Sequence, residues 1–189
     1  MRRSSEETKA VILAAARERF GSAGYQAATI RAIAADAGID PAMVMRYFGN
    51  KEKLFAAAVE FDLRFPTYDD ADREQLGHLL VQHFLERWEG DEALVILLRS
   101  SATNDEAAQR MREIFGSQLR PLVAKLVGAD EAGKRAGLIA TQILGLALCR
   151  FVLRLPPVVG MDRDEVVEWL GPTIQRYLDP PSNAQQTLG

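Results

Sequence analysis

Between Thr29 and Asn50 the chain carries two complete sets of helix start and stop signals, crowded so closely that both helices must be short. Thr29 is a side-chain N-cap, and Ile30, Ile33, Ala34 and Ala37 follow at helical spacing before Gly38 supplies a left-handed stop. Asp40 caps the next helix, Pro41 takes its first position, where a missing N–H costs nothing, and Gly49-Asn50 closes it after Tyr47 and Phe48. Two short helices joined by a tight glycine turn form a helix-turn-helix, whose second helix can enter a DNA major groove. Ala34 sits where a larger side chain would hold the two helices apart, and Ile39 and Val44 pin the turn to a core. Pro41, Ala42, Met43, Met45, Arg46 and Tyr47 are then left as an outward surface.

The rest of the chain also reads as helix, with no alternating strand segment. A first helix is expected over 5–20, burying Val11, Ile12, Ala15, Ala16 and Phe20 and stopped by Gly21 and Gly24. A fourth is expected over 51–65, ended by Pro66. After the linker TYDDAD, longer helices are expected over 73–89, 91–102, 105–127, 131–155 and 163–178, with Pro121 bending the third of them. The predicted fold is all-α with about nine helices. Residues 1–50 form a three-helix DNA-binding domain, 51–66 a connecting helix, 67–179 a helical ligand-binding and dimerisation domain, and 180–189 a disordered tail.

Composition removes several function classes. The lone Cys149 cannot make an internal disulfide, and with two histidines it does not make a zinc site, so no metal and no cofactor is expected. No paired carboxylates, no nucleophile with its base and no glycine-rich phosphate loop point to an enzyme. The charged opening MRRSSEETKA is not a signal peptide, and the apolar run 136–149 includes Thr141 and Gln142 and is shorter than a membrane span. That run is expected to be a helix buried on more than one face, in a cytoplasmic protein. The net charge of −3 points faintly away from nucleic acid. Its distribution reverses the hint: residues 1–60 hold 9 Lys and Arg against 7 Asp and Glu, whereas 61–189 hold 14 against 19.

Two flanking patterns make the helix-turn-helix far more specific: AARERFGSAGYQAAT from Ala15 to Thr29 and YFGNKEKLF from Tyr47 to Phe55. With them, residues 11–65 resemble the tetracycline-repressor (TetR) family of bacterial transcriptional regulators. The resemblance implies a repressor whose partners are a palindromic double-stranded DNA operator, a small-molecule effector and a second copy of itself. By position it implies that Thr29, Arg31 and Lys51 meet phosphates, that Ala42, Met43 and Met45 face bases, and that Arg46 takes guanine or phosphate. Tyr47 would donate its hydroxyl to the backbone while its ring packs inward, and Arg2 and Arg3 would reach a minor groove. The thioethers of Met43 and Met45 stand where the family has a small or hydroxyl residue and an aromatic one, so base readout there rests on thymine methyls.

Beyond the motif the resemblance is one of length and helix order alone. It implies a four-helix interface between two copies. Gly137, Thr141, Gly145, Leu148 and Val152 would contribute from one helix, and Val166, Leu170, Thr173, Ile174 and Tyr177 from the last. His83, Phe84, Trp88, Met111, Phe115 and Gln142 are candidates for lining an effector cavity, although each residue type is more often plain core, and their apolar character suits a lipophilic effector. The alternatives are a regulator without an effector, constitutive or acting through a protein partner, and a small helical lipid-binding protein.

Overall fold

The computed structural model describes residues 4–68 and 71–179, so Arg2, Arg3 and the tail 180–189 lie outside the described residues. Within them the secondary structure is helical, with no strand. The chain divides into two compact units, one of Met1–Asp62 with Trp88–Ile114, the other of Leu63–Arg87 with Phe115–Gly189.

The first unit holds α1 (Ser5–Ala27), α2 (Ile30–Ala37), α3 (Pro41–Phe48) and α4 (Lys51–Ala58). With them go the last turn of α5 (Leu76–Gly90), α6 (Glu92–Ser101) and α7 (Asp105–Ile114). Helix α1 starts in a capping box, Ser4 and Glu7 each accepting the other's backbone N–H. It runs past Gly21, contrary to the expected stop, and breaks at Gly24, where φ is 76°. The caps Thr29, Asp40 and Asn50 accept from Ala32, Ala42 and Lys53 N–H at 3.1, 2.7 and 2.8 Å. Gly38 takes φ 62°, and its N–H and that of Ile39 close the end of α2 onto Ala35 and Ala34. Ile12, Ala16, Phe20, Ile33, Ala34, Val44, Leu54 and Phe55 form the buried centre.

Helix α4 ends at Ala58, seven residues before the expected terminus at 65. The apolar residues beyond it explain the difference: Phe61 and Leu63 are buried while Asp62 and Arg64 are exposed, a period of two, ahead of a proline that disfavours helix. The two ends of this extended segment are held by side chains. Arg17 Nε donates to the Ala58 carbonyl at 2.8 Å in the first unit. In the second, Leu63 N–H donates to Gln118 Oε1 at 2.6 Å, and the Leu63 carbonyl lies 2.7 Å from His83 Nε2.

The second unit contains a short 3₁₀ turn (Arg73–Gln75), the body of α5, α8 (Arg120–Val127), α9 (Ala129–Ala147), α10 (Pro156–Val159) and α11 (Arg163–Leu178). The expected bend at Pro121 is a π turn over Phe115–Leu119, after which α8 begins with the proline in its first turn. A second π turn, Leu148–Val152, ends α9. Helices α5 and α11 touch backbone to backbone. A Cβ on Gly77 would stand 2.3 Å from the Gly171 carbonyl oxygen and 2.6 Å from Gln175 N. Gly77 N–H donates to Gln175 Oε1 at 2.8 Å across the same crossing.

Helix α9 does not match the expectation of burial on several sides. Ala132, Ala136, Ile139, Ile143 and Ala147 face inward along one stripe, whereas Leu138, Thr141, Gly145 and Leu148 are exposed. By length and composition alone 129–152 could cross a membrane, but the inward stripe makes it one wall of the helical unit.

The two glycines of the α5–α11 crossing predict unequal costs. Gly77→Ala must push backbone away and should lower unfolding free energy by about 1–3 kcal/mol, the range for overpacking. Gly171→Ala meets a side chain rather than backbone, the ring of His78 at 2.7 Å, and should cost less in the same denaturation series.

Candidate nucleic-acid interface

The first unit presents α3 on a rigid seat. Val44 is fully buried beneath it, while Ala42, Met45 and Arg46 are exposed and Met43 and Tyr47 are half-buried. Met45, at 43% exposure, is the large apolar side chain that α3 leaves uncovered. Its neighbour Arg46 lies with its guanidinium carbon 5.9 Å from the centroid of the Tyr47 ring. Tyr47 is half-buried, and its hydroxyl finds no backbone acceptor among the described residues. The half-exposed phenol keeps its polar end toward solvent, which removes the need for one.

The three groups expected to meet phosphates flank that helix. Thr29 is exposed, and its oxygen is engaged as an acceptor at the N-cap of α2, which leaves the hydroxyl proton free to donate. Arg31 is exposed on the first turn of α2, where the helix N-terminus also favours an anion. Lys51, at the start of α4, is more constrained than an ordinary surface lysine. Its ammonium donates to the Gln26 carbonyl at 3.3 Å and lies 4.4 Å from the centroid of the Tyr25 ring. Burial lowers its pKa, with nearby Glu52 acting in the opposite direction. One of three donors is occupied, and the others remain for a phosphate.

Tyr25 is the residue that motif reasoning did not single out. Its ring stacks on Phe20 at 5.9 Å and meets Phe55 edge-on at 4.9 Å, and Phe20 and Phe55 meet at 5.0 Å. Its hydroxyl donates to Glu52 Oε1 at 3.4 Å, and burial, followed by Glu52 and Glu106, pushes its pKa up to about 12. The spacing of Phe20, Tyr25 and Phe55 in the two flanking patterns was the available signal. A bidentate pair, Arg19 Nε and Nη2 to Asp36 at 2.7 and 2.6 Å, ties α1 to α2 beside it.

The residues expected at a subunit interface separate into two groups. Thr141 and Gly145 of α9 and Leu148 of the π turn after it are exposed, and Gly137, Val152, Leu170, Thr173 and Tyr177 are half-buried. A Cβ on Gly137 or on Gly145 would meet nothing within 4 Å. Val166 and Ile174 instead turn into the core of the second unit and are not on that face. The most exposed large apolar residue among the described residues is one the apolar periodicity passed over, Trp169 of α11 at 77% exposure, with Leu138, Leu153 and Leu155 also uncovered.

The six expected cavity residues are divided between the units. Trp88, buried, and Met111, half-buried, belong to the first; His83, Phe84, Phe115 and Gln142 belong to the second. Of these the structure brings His83 and Phe84 together, and the ring of Phe65 occupies the space beside them at 5.3 and 5.6 Å. The first unit has an open groove of about 670 Å³ lined by Ala56, Ala57 and Glu60 and by charged residues of α7, among them Asp105, Arg110 and Glu113. None of the six expected residues lines it.

Two family models match the chain, the second across segments of both units. Residues 12–58 match the model of bacterial regulatory proteins of the tetR family, and residues 74–178 match a tetracyclin repressor-like C-terminal domain. The HTH-type transcriptional regulator BetI of Rhizobium meliloti (strain 1021) is 32% identical over 167 residues, covering 79% of this chain and 80% of its own. A TetR-family regulator from Streptomyces coelicolor A3 is similar in structure with a TM-score of 0.65 at 29% identity, over 94% of this chain and 97% of its own. NalD, the secondary repressor of the MexAB-OprM multidrug efflux pump in Pseudomonas aeruginosa, gives a TM-score of 0.70 at 26% identity, over 94% and 100%.

The geometry predicts distinct signatures for two classes of side chain on a bound duplex. Arg31→Ala and Lys51→Ala should each weaken binding across sequences and reduce the slope of log K against log salt by about 1. Met45→Ala should leave that slope unchanged and relax sequence preference at one or a few base pairs, read by binding to a panel of substituted duplexes.

Proposed function

The chain belongs to the tetR family of bacterial regulatory proteins and is a DNA-binding transcriptional regulator, and on that premise we propose that it works in the cytoplasm as a homodimeric repressor of a palindromic operator. The observation that carries the dimer is the uncovered apolar face of the second unit. Small residues with open space before them, Gly137 and Gly145, lie on α9, and Trp169 projects from α11. Small residues let helices of two copies approach closely, and tryptophan is among the side chains enriched at protein–protein interfaces. Dimerisation also meets a need of the reading unit. An eight-residue α3 reaches only a few base pairs, and two copies related by a two-fold axis double the readout over half-sites roughly 34 Å apart.

Release by a small effector fits the same reading as a population shift. An effector favours the state in which the recognition helices no longer match successive major grooves, and it acts only through its difference in affinity for the two states. The aromatic surroundings of His83, Phe84 and Phe65 suit an apolar or aromatic effector, which would have to displace the Phe65 ring. Direct contacts are assigned to Thr29, Arg31, Ala42, Met43, Met45, Arg46 and Lys51, with Tyr47 beside them.

Sedimentation and gel-shift measurements on one variant test the dimer. Gly145→Glu has room within the protomer, so it should fold, sediment as a monomer and bind the operator at least tenfold more weakly, because one of two half-site contacts is lost. A Gly145→Glu protein that remains dimeric and binds normally would place the interface elsewhere. Apolar and aromatic compounds that release the wild-type protein from DNA would support the effector; a full survey without release would favour a constitutive repressor.

A further inference from the structure

We infer that Arg99 is a positioning residue for DNA binding: from α6 it holds the kinked end of α1 where Thr29 and Lys51 can both meet the phosphate backbone. The inference rests on the reading of the first unit as the DNA-binding body and adds a residue that touches neither bases nor phosphates.

Gly24 creates the need for such a residue. Its φ of 76° breaks the regular ladder of α1, and the carbonyls of the turn before such a break need donors from elsewhere. The Gly21 carbonyl receives one from the guanidinium of Arg99, which reaches it from α6. The same turn is in contact with α6 through side chains. A Cβ built on Gly21 would lie 3.4 Å from Ile96 Cγ1, so the glycine face of α1 and the isoleucine face of α6 leave room for a methyl and nothing larger. Arg99 and Ile96 thus grip one turn of α1 immediately before it changes direction.

The segment after the break is the part of the unit that faces a phosphate. Tyr25 is seated on Phe20 and Phe55, and its ring and the Gln26 carbonyl hold the Lys51 ammonium. Thr29, three residues beyond Gln26, caps α2. The direction in which the chain leaves Gly24 therefore sets where both Thr29 and Lys51 stand. Arg99 is exposed and contributes little burial of its own, so its loss should leave the fold intact while loosening that direction. Helix α6, outside the helix-turn-helix, is in this way a working part of the DNA-binding body.

The experiment uses the full-length protein and a duplex that the wild type selects from a random library. Arg99→Ala should bind that duplex about tenfold more weakly, the scale of one charge-assisted hydrogen bond, with the salt slope of the wild type retained. Active fraction is fixed by stoichiometric titration and fold by circular dichroism. Arg99→Lys, which can still donate to the Gly21 carbonyl, should restore much of the affinity. Gly21→Leu changes no charge but pushes α6 away, and it should weaken binding in the same way, whereas Gly21→Ala should not. Unchanged affinity in Arg99→Ala would overturn the inference, as would a salt slope reduced by about 1, which would make Arg99 a phosphate contact itself. A wild-type protein that selects no duplex would overturn the DNA-binding reading and the inference with it.

Discussion

The ring of Tyr25 is the contact on which the DNA-binding body depends. One face stacks on Phe20, its edge meets Phe55, and the ammonium of Lys51 rests against it. Those contacts join the end of α1 to the first turns of α4, and the recognition helix α3 is short and lies between. An eight-residue helix has little stability of its own, so its position is determined by the groups beneath and beside it. Val44 supplies the floor beneath it, and α4, whose first turns the Tyr25 ring engages, follows it directly in the chain. Burial and the carboxylates of Glu52 and Glu106 keep the phenol protonated far above neutral pH, so the seat does not change with physiological acidity.

The second unit obeys a different constraint. Helix α9 is apolar around most of its circumference, yet within one chain it packs along a single stripe of alanines and isoleucines. The remaining surface, with Gly145, Leu148 and nearby Leu138, is left uncovered, and Trp169 of α11 is too. Surface of that kind is costly to leave in water and would be covered in the proposed dimer. The charge distribution agrees: the excess of acidic residues falls in 61–189, outside the segment that carries the residues assigned to phosphates.

Much of this architecture is legible from residue types whose physics is local. Thr29, Asp40 and Pro41 mark helix starts because capping needs only the residue and its next few neighbours, and Gly38 marks a stop because it alone enters left-handed space freely. The patterns around Phe20, Tyr25 and Phe55 mark the motif. The features that escape a sequence reading are decided by packing at a distance. The end of α4 is hidden because Leu54 and Ala58 read as helix into Phe61, where the burial period changes from helical to two. The outward face of α11 is hidden for a related reason: a 3.6-residue apolar stripe through Val166 and Ile174 finds the side that the chain buries itself. The exposed Trp169, which the proposed dimer would cover, lies off that stripe, and periodicity does not report it. The Arg99 contact joins residues far apart in sequence and has no local signature at all.

In the proposed complex two copies of α3, each flanked by Arg31 and Lys51, sit in successive major grooves of one duplex. Ethylation interference on a selected operator tests it most directly, since each ethylated phosphate reports whether that phosphate is contacted. A two-fold dimer should give two clusters of sensitive phosphates related by a two-fold axis, on one face of the duplex and about one helical turn apart. A single cluster, or sensitivity spread evenly along the duplex, would contradict it.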